Sequence, residues 1–203
     1  KLRCNQSAST INFITASFVR LIEFSKVDEK IVQIQFHNSN HFSSSAMLRP
    51  LKGIELHFAN KAYHENILMA IKFSDPKYVP MAIENFKKIF CGFRLKIVDD
   101  HYCRKDSNEI KVHQIPGWIQ DCQFANSWVF KNHTIPITEG LTTIASNDSI
   151  VVVNSSHNLN DGGFMVKALN QCIDDLSNEK VYSDPPLYSS DAFKDDFEEA
   201  TRK

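Results

Sequence analysis

Residues able to move protons gather in one short run, Val151-Val-Val-Asn-Ser-Ser-His-Asn-Leu-Asn-Asp-Gly-Gly163. His157 stands at the end of a β-branched stretch, Asp161 follows it, and Gly162 and Gly163 close the run. Imidazole is the side chain best poised to accept a proton near neutral pH. A histidine on a short loop at the end of a buried strand is therefore a candidate general base. A carboxylate followed by two glycines predicts a tight turn and close approach of the backbone to a ligand. The bland alternative is a strand-end loop with an incidental histidine. A chance His-x-x-x-Asp-Gly is roughly a few-per-cent event at ordinary Asp and Gly usage. The run is therefore weighed with its surroundings.

Other reactive residues lack company. Cys4, Cys91, Cys103, Cys122 and Cys172 are scattered without a CxxC pair, which points to neither a zinc site nor a disulfide framework. A reduced, cytoplasmic protein is the expectation. His37 and His41 have no third ligand in register, so no metal site is expected. His101 and Cys103 flank Tyr102, again without a partner pair. His57, His64, His113 and His133 stand apart. Cys172 reads as core, and Trp118 and Trp128 read as core before pocket lining. Lys87-Lys88, Asp195-Asp196 and Glu198-Glu199 read as solvated faces. The sequons at Asn5, Asn132, Asn147 and Asn154 carry little weight in an Asn- and Ser-rich chain.

The elements that must hold the His157 run are legible around it. Residues 149–154 form a β-branched stretch typical of a strand buried on both faces. Residues 164–176 place Phe164, Ala168, Leu169 and Cys172 on one side of a helix. Upstream, 65–73 predicts a strand and 78–90 a helix, with Pro80 in its first turn and Gly92 at its stop. Residues 93–98 alternate as a strand, turn through Asp99-Asp100, and lead to a second short strand at 110–115. Ile11, Ile14, Phe18, Leu21 and Ile22 fall at helical spacing. Residues 31–36 alternate as a strand, and 37–52 read as a loop.

Length and composition bound the rest. The chain has 203 residues, 42% hydrophobic and 23% charged, which suits one globular domain with a sizeable core. A net charge of -1 excludes an overall basic field that recruits nucleic acid or anionic membrane. No stretch is long and apolar enough to span a bilayer. Residues 1–53 read as an N-terminal extension with the first elements, 54–176 as the main lobe, and 177–203 as a connector and acidic tail.

Strand, His-x-x-x-Asp-Gly and helix, in that order, resemble the signature of the chloramphenicol acetyltransferase-like superfamily. That group includes plant BAHD acyltransferases, fungal alcohol acetyltransferases, nonribosomal peptide condensation domains, wax ester synthases and carnitine acyltransferases. Met69-Ala-Ile-Lys-Phe-Ser74, the helix to Phe90 and Cys91-Gly-Phe-Arg-Leu-Lys-Ile97 stand where condensation domains carry a strand, a helix and a turn into a strand. Arg94 matches the family arginine after the helix. The resemblance spans about residues 54–188.

The resemblance implies an α/β sandwich lobe, a mixed β-sheet covered by helices. His157 would deprotonate an alcohol or amine, which then attacks the carbonyl of an acyl thioester with no acyl-enzyme. Acyl-CoA is the implied co-substrate, with a carrier-protein thioester as the alternative, and no tightly bound cofactor is implied. Asp161 would be structural, pairing with an arginine, for which Arg94 is the candidate. Gly162 and Gly163 would admit close backbone approach, and a backbone N–H there could stabilise the oxyanion. Ser156 replaces the second histidine of many condensation domains, and the BAHD Asp-Phe-Gly-Trp-Gly motif is absent. The family's tunnel lies between two lobes or subunits, so a second, C-terminal lobe is expected in the same or another chain, and little activity from this lobe alone. An open sheet edge near residues 150–154 would point to such a missing partner, since unpaired edges are usually covered. A catalytically silent binding or scaffold homologue is the rival, and another α/β family with a coincidental motif is the third reading.

Overall fold

The structure, a computed structural model, describes residues 15–22, 47–59, 65–107 and 109–178. The strand expected at 31–36, His37, His41, His64, Cys4 and the connector and tail after 178 lie outside the described residues.

Among the described residues, eight strands and four helices follow in chain order. They are β1 (Thr15–Ile22), β2 (Met47–Pro50), α1 (Ile54–Ala59), β3 (Glu65–Lys72), α2 (Tyr78–Ile89), β4 (Leu95–Val98), β5 (His101–Arg104), β6 (Val112–Gln114), α3 (Cys122–His133), β7 (Thr142–Ser146), β8 (Ile150–Ser156) and α4 (Gly162–Ser177). A 3-10 turn, Cys91–Arg94, joins α2 to β4. The larger sheet runs β1-β3-β8-β7-β6 and the smaller one β2-β5-β4. All neighbours pair antiparallel except β6 and β7, which are parallel. The expected mixed sheet covered by helices is present.

β8 is central, and all seven of its residues are buried. Its side chains alternate between two cores, as strand geometry requires. Val151 and Val153 pack with Phe86 of α2 and Met165 and Leu169 of α4. Ile150 and Val152 pack with Cys122, Ala125 and Val129 of α3. With both faces covered, the β-branched run needs no polar side. No edge is open at 150–154, so this sign of a missing partner is not found there: β3 and β7 flank β8 through its length. Among the described residues, β1 and β6 lie at the ends of this sheet.

Three local expectations change. Residues 15–22, expected as part of a helix, form β1, paired with β3 from Thr15↔Lys72 to Ile22↔Glu65. Ladder pairing with a buried neighbour outweighs a helical spacing that Thr15, Val19 and Ile22 support poorly. Met47–Pro50, inside the expected loop, is β2, paired with β5. The chain also returns at once after Asp99-Asp100 as β5, before β6 falls where the second strand was expected. Both aspartates have positive φ, 48° and 58°, the two-residue turn that matches strand twist in a hairpin.

The small sheet builds a third core from Leu51, Cys91, Leu95, Ile97, Tyr102, Ile137, Leu141 and Leu159. Leu159 belongs to the His157 run, so the run is clamped between the end of the large sheet and the small one. No helix among the described residues is long and apolar enough to cross a membrane.

Candidate active site

β8 ends at Ser156, and the chain turns sharply through His157, Asn158 and Leu159. The His157 N–H donates to the Glu65 carbonyl at 2.9 Å, carrying the pairing with β3 one step past the strand. The N–H groups of Leu159 and Asn160 both donate to the Ser156 carbonyl, at 3.2 and 3.3 Å. This closes the turn. The chain then enters α4.

Polar side chains buried beneath the turn must be hydrogen-bonded or they destabilise the fold. Asn158 is 5% exposed and uses every polar group it has. Its Nδ2 donates to the Glu55 carbonyl of α1 at 2.8 Å. Its Oδ1 accepts from the Ser156 hydroxyl at 2.6 Å. Its carbonyl accepts from the Tyr102 hydroxyl at 2.8 Å, and its N–H donates to Ser156 Oγ at 3.4 Å. Asn160 donates through Nδ2 to Ser155 Oγ, which lies 3.0 Å from Thr142 Oγ1. The Oδ1 of Asn160 is buried without a partner.

The His157 ring is partly exposed. Its plane lies on the ring of Phe58, with centroids 4.2 Å apart and an interplanar angle of 28°. Phe58 is buried and belongs to α1, whose start is fixed by two contacts. Gly53 supplies a positive φ of 51°, and the Glu55 carboxylate accepts from the Lys52 N–H at 2.8 Å. No group among the described residues hydrogen-bonds the ring nitrogens of His157. The imidazole is thus held by its face, leaving its edges for a ligand.

The remaining residues of the run behave differently from expectation. Asp161 is exposed and caps α4, its Oδ1 accepting from the Phe164 N–H at 2.7 Å. It makes no ion pair with Arg94. The Arg94 guanidinium instead donates through Nη2 to the Lys87 carbonyl at 3.0 Å, and its Nη1 is buried without a partner among the described residues. An exposed carboxylate is already solvated and needs no buried cation, so the expected pair has nothing to drive it. Gly162 and Gly163 are the first residues of α4 and have no positive φ. A Cβ at Gly162 would meet nothing within 4 Å, and one at Gly163 only the Asp161 carboxylate. They neither make the turn nor touch another segment. Their N–H groups have no acceptor among the described residues.

The glycine that the site needs is Gly92. A Cβ there would overlap the Thr142 hydroxyl and come within 3.0 Å of Leu159 Cδ2. This close approach lets the 3-10 turn pack on β7, and the Leu141 N–H reaches the Gly92 carbonyl at 3.4 Å.

A small recess, with room for about one water molecule, lies at the same end of the sheet, lined by Asn66, Ile135, Leu141, Thr143, Asn154 and Ser156 among others. Its lining carries amides and hydroxyls but no charge. Asn154, 3% exposed, donates to Thr134 Oγ1 at 3.2 Å and leaves its Oδ1 unpartnered. Small-molecule sites usually enclose roughly 300–1,000 Å³, so this recess is a dimple in the surface and not a substrate pocket.

Residues set aside on sequence resolve as follows. Cys172 is 1% exposed in the core of α4, and burial, with Asp175 nearby, drives its thiol far above the ordinary range. Burial also pushes Cys122 up to about 11, and Cys103 upward, so none of these thiols is poised as a nucleophile. Trp118 is neither core nor pocket wall: it is 70% exposed and leans on Phe124 at 5.6 Å. Trp128 meets His133 edge-on at 5.0 Å. His113 and His133 do have company, for their rings stack at 4.2 Å. Asn147 and Asn154 are buried and hydrogen-bonded. No group of three His, Cys, Asp or Glu able to hold a metal occurs among the described residues.

Phe58, Asn158 and Tyr102 escaped sequence reasoning. Their contacts to the His157 run cross long stretches of chain, 103 residues for Asn158 to Glu55 and 56 for Tyr102 to Asn158. The one local signal is the unusual density of Asn around His157. No family model, curated protein or solved structure matches this chain.

Proposed function

We propose that this chain is one lobe of an acyltransferase in which His157 is the general base. It takes the proton from an alcohol or amine acceptor, which attacks the carbonyl of an acyl thioester. Acyl-CoA is the favoured donor and a carrier-protein thioester the alternative. The observation that carries the reading is the mounting of His157. A partly exposed imidazole with unoccupied edges sits at the end of a wholly buried strand, between Ser156 and Asn158, whose side chains are spent on internal bonds. Fixing a base in this way is what general-base catalysis asks of a fold. The free N–H groups at the start of α4 supply the oxyanion donors of the reading. The reading requires a second lobe, in the same or another chain, to complete the site.

The experiment is an acyl-transfer assay on the assembly that contains this chain. A series of acyl-CoA donors is offered with alcohol and amine acceptors, and release of the CoA thiol is followed. Transfer that depends on His157 supports the reading. Absence of transfer from every thioester, with the histidine intact, removes it.

A second reading has one observation in its favour. Asp161 and Arg94 do not pair, whereas the family resemblance implies an arginine partner for that aspartate. A homologue that keeps the fold for binding or scaffolding, without chemistry, has less need of that pair.

A further inference from the structure

We propose that Asn158 is a positioning residue for His157, acting through α1 and the ring of Phe58. The kinetic part of this inference rests on His157 being the base; the structural part does not.

The residue following His157 holds the helix that holds His157. The Asn158 side chain donates to the Glu55 carbonyl. Three residues along α1 from Glu55, Phe58 lays its ring on the imidazole. α1 is only six residues long, too short to be stable by its own backbone bonds. Its placement depends on tethers, and Asn158 is one of them. Asn158 is itself immobilised by Ser156 on one side and by Tyr102 of the small sheet on the other. Contacts thus close a ring from His157 through Asn158, α1 and Phe58 back to His157. The Phe58 ring is the aromatic partner stacked on the imidazole, and among the described residues the ring nitrogens make no hydrogen bond that would fix its plane. Loss of the Nδ2 donor frees α1, and with it the face on which the imidazole rests.

The test is NMR of the full chain with labelled histidine, with His157 assigned by the resonance missing in His157→Gln. In the unchanged protein the His157 ring protons lie upfield, shielded by Phe58. Phe58→Leu removes that shift and Phe58→Tyr restores it. Asn158→Asp keeps the size and the acceptor but removes the donor; it moves the His157 ring protons in the same direction as Phe58→Leu, although Phe58 is still present. The stacked pair His113 and His133 serves as the internal control and stays in place. In the transfer assay Asn158→Asp lowers kcat about 10²-fold, the scale of a 1 Å misplacement, with KM little changed. The proposal is overturned if Asn158→Asp leaves the His157 resonances unmoved, or if it moves those of His113 and His133 equally, which is general loosening. If the shifts behave as stated but no thioester is turned over, the positioning stands and the acyltransferase reading falls.

Discussion

The Asp161 carboxylate accepts a hydrogen bond from the Phe164 N–H at 2.7 Å, which makes it the N-cap of α4. Asn caps about as well as Asp, and Ala does not. Asp161→Ala is therefore expected to lower stability by about 1 kcal/mol. Asp161→Asn should leave it nearly unchanged, both measured by urea unfolding. A large loss on Asp161→Asn would mean that the charge has a partner after all.

Gly162 begins α4 in helical conformation, with open space where a side chain would be. Gly162→Ala reduces the freedom of the unfolded chain without a clash. It should stabilise the protein by up to about 1 kcal/mol. If transfer activity falls while the melting temperature rises, the open space is substrate space.

Gly92 is the opposite case. A methyl group there overlaps the Thr142 hydroxyl and crowds Leu159. Overpacking of this kind costs about 1–3 kcal/mol. Gly92→Ala should lower the free energy of unfolding by that amount, read as a lower denaturation midpoint, and loosen the turn after β8. Hydrogen exchange at His157 and Asn158 reads the second effect.

His113 and His133 give the fold an acid sensitivity. Burial holds His113 below the ordinary value of 6.5, and the nearby His133 and Lys111 add to the effect. Burial and then Lys111 do the same for His133. Both residues therefore bind protons less readily folded than unfolded. The stability this represents is complete above the unfolded value and is lost as pH falls through the lowered folded values. Thermal melts should show a steeper loss of stability from about pH 7 to about pH 5 for the unchanged protein than for His113→Phe/His133→Phe. Parallel curves would mean that the pair does not titrate in that window.

The legible part of the fold was that governed by local pattern. β3, α2, β8 and α4 announce themselves by apolar runs and periodicity, and they are the elements that carry His157. β1 was misread because its apolar spacing fits a helix, while its pairing with β3 is a contact across 50 residues or so of chain. α1 and α3 have too little apolar pattern to stand out; α3 owes its place to Cys122, Ala125 and Val129 on the sheet. In the candidate site, sequence position singled out His157 as the candidate base. It could not identify Phe58, Asn158 or Tyr102, whose roles exist only once distant segments meet. Arg94 and Asp161 were linked by resemblance, and the structure separates them because a helix cap already satisfies the carboxylate.

The central claim is that His157 is a base. The most direct measurement is turnover of an acyl-CoA by the complete assembly, comparing unchanged protein with His157→Ala, alongside thermal unfolding of both. The expected result is a fall of about 10²–10⁴-fold in kcat, the contribution of a general base, with unfolding shifted little because the ring is partly exposed. Turnover retained by His157→Ala would contradict the claim.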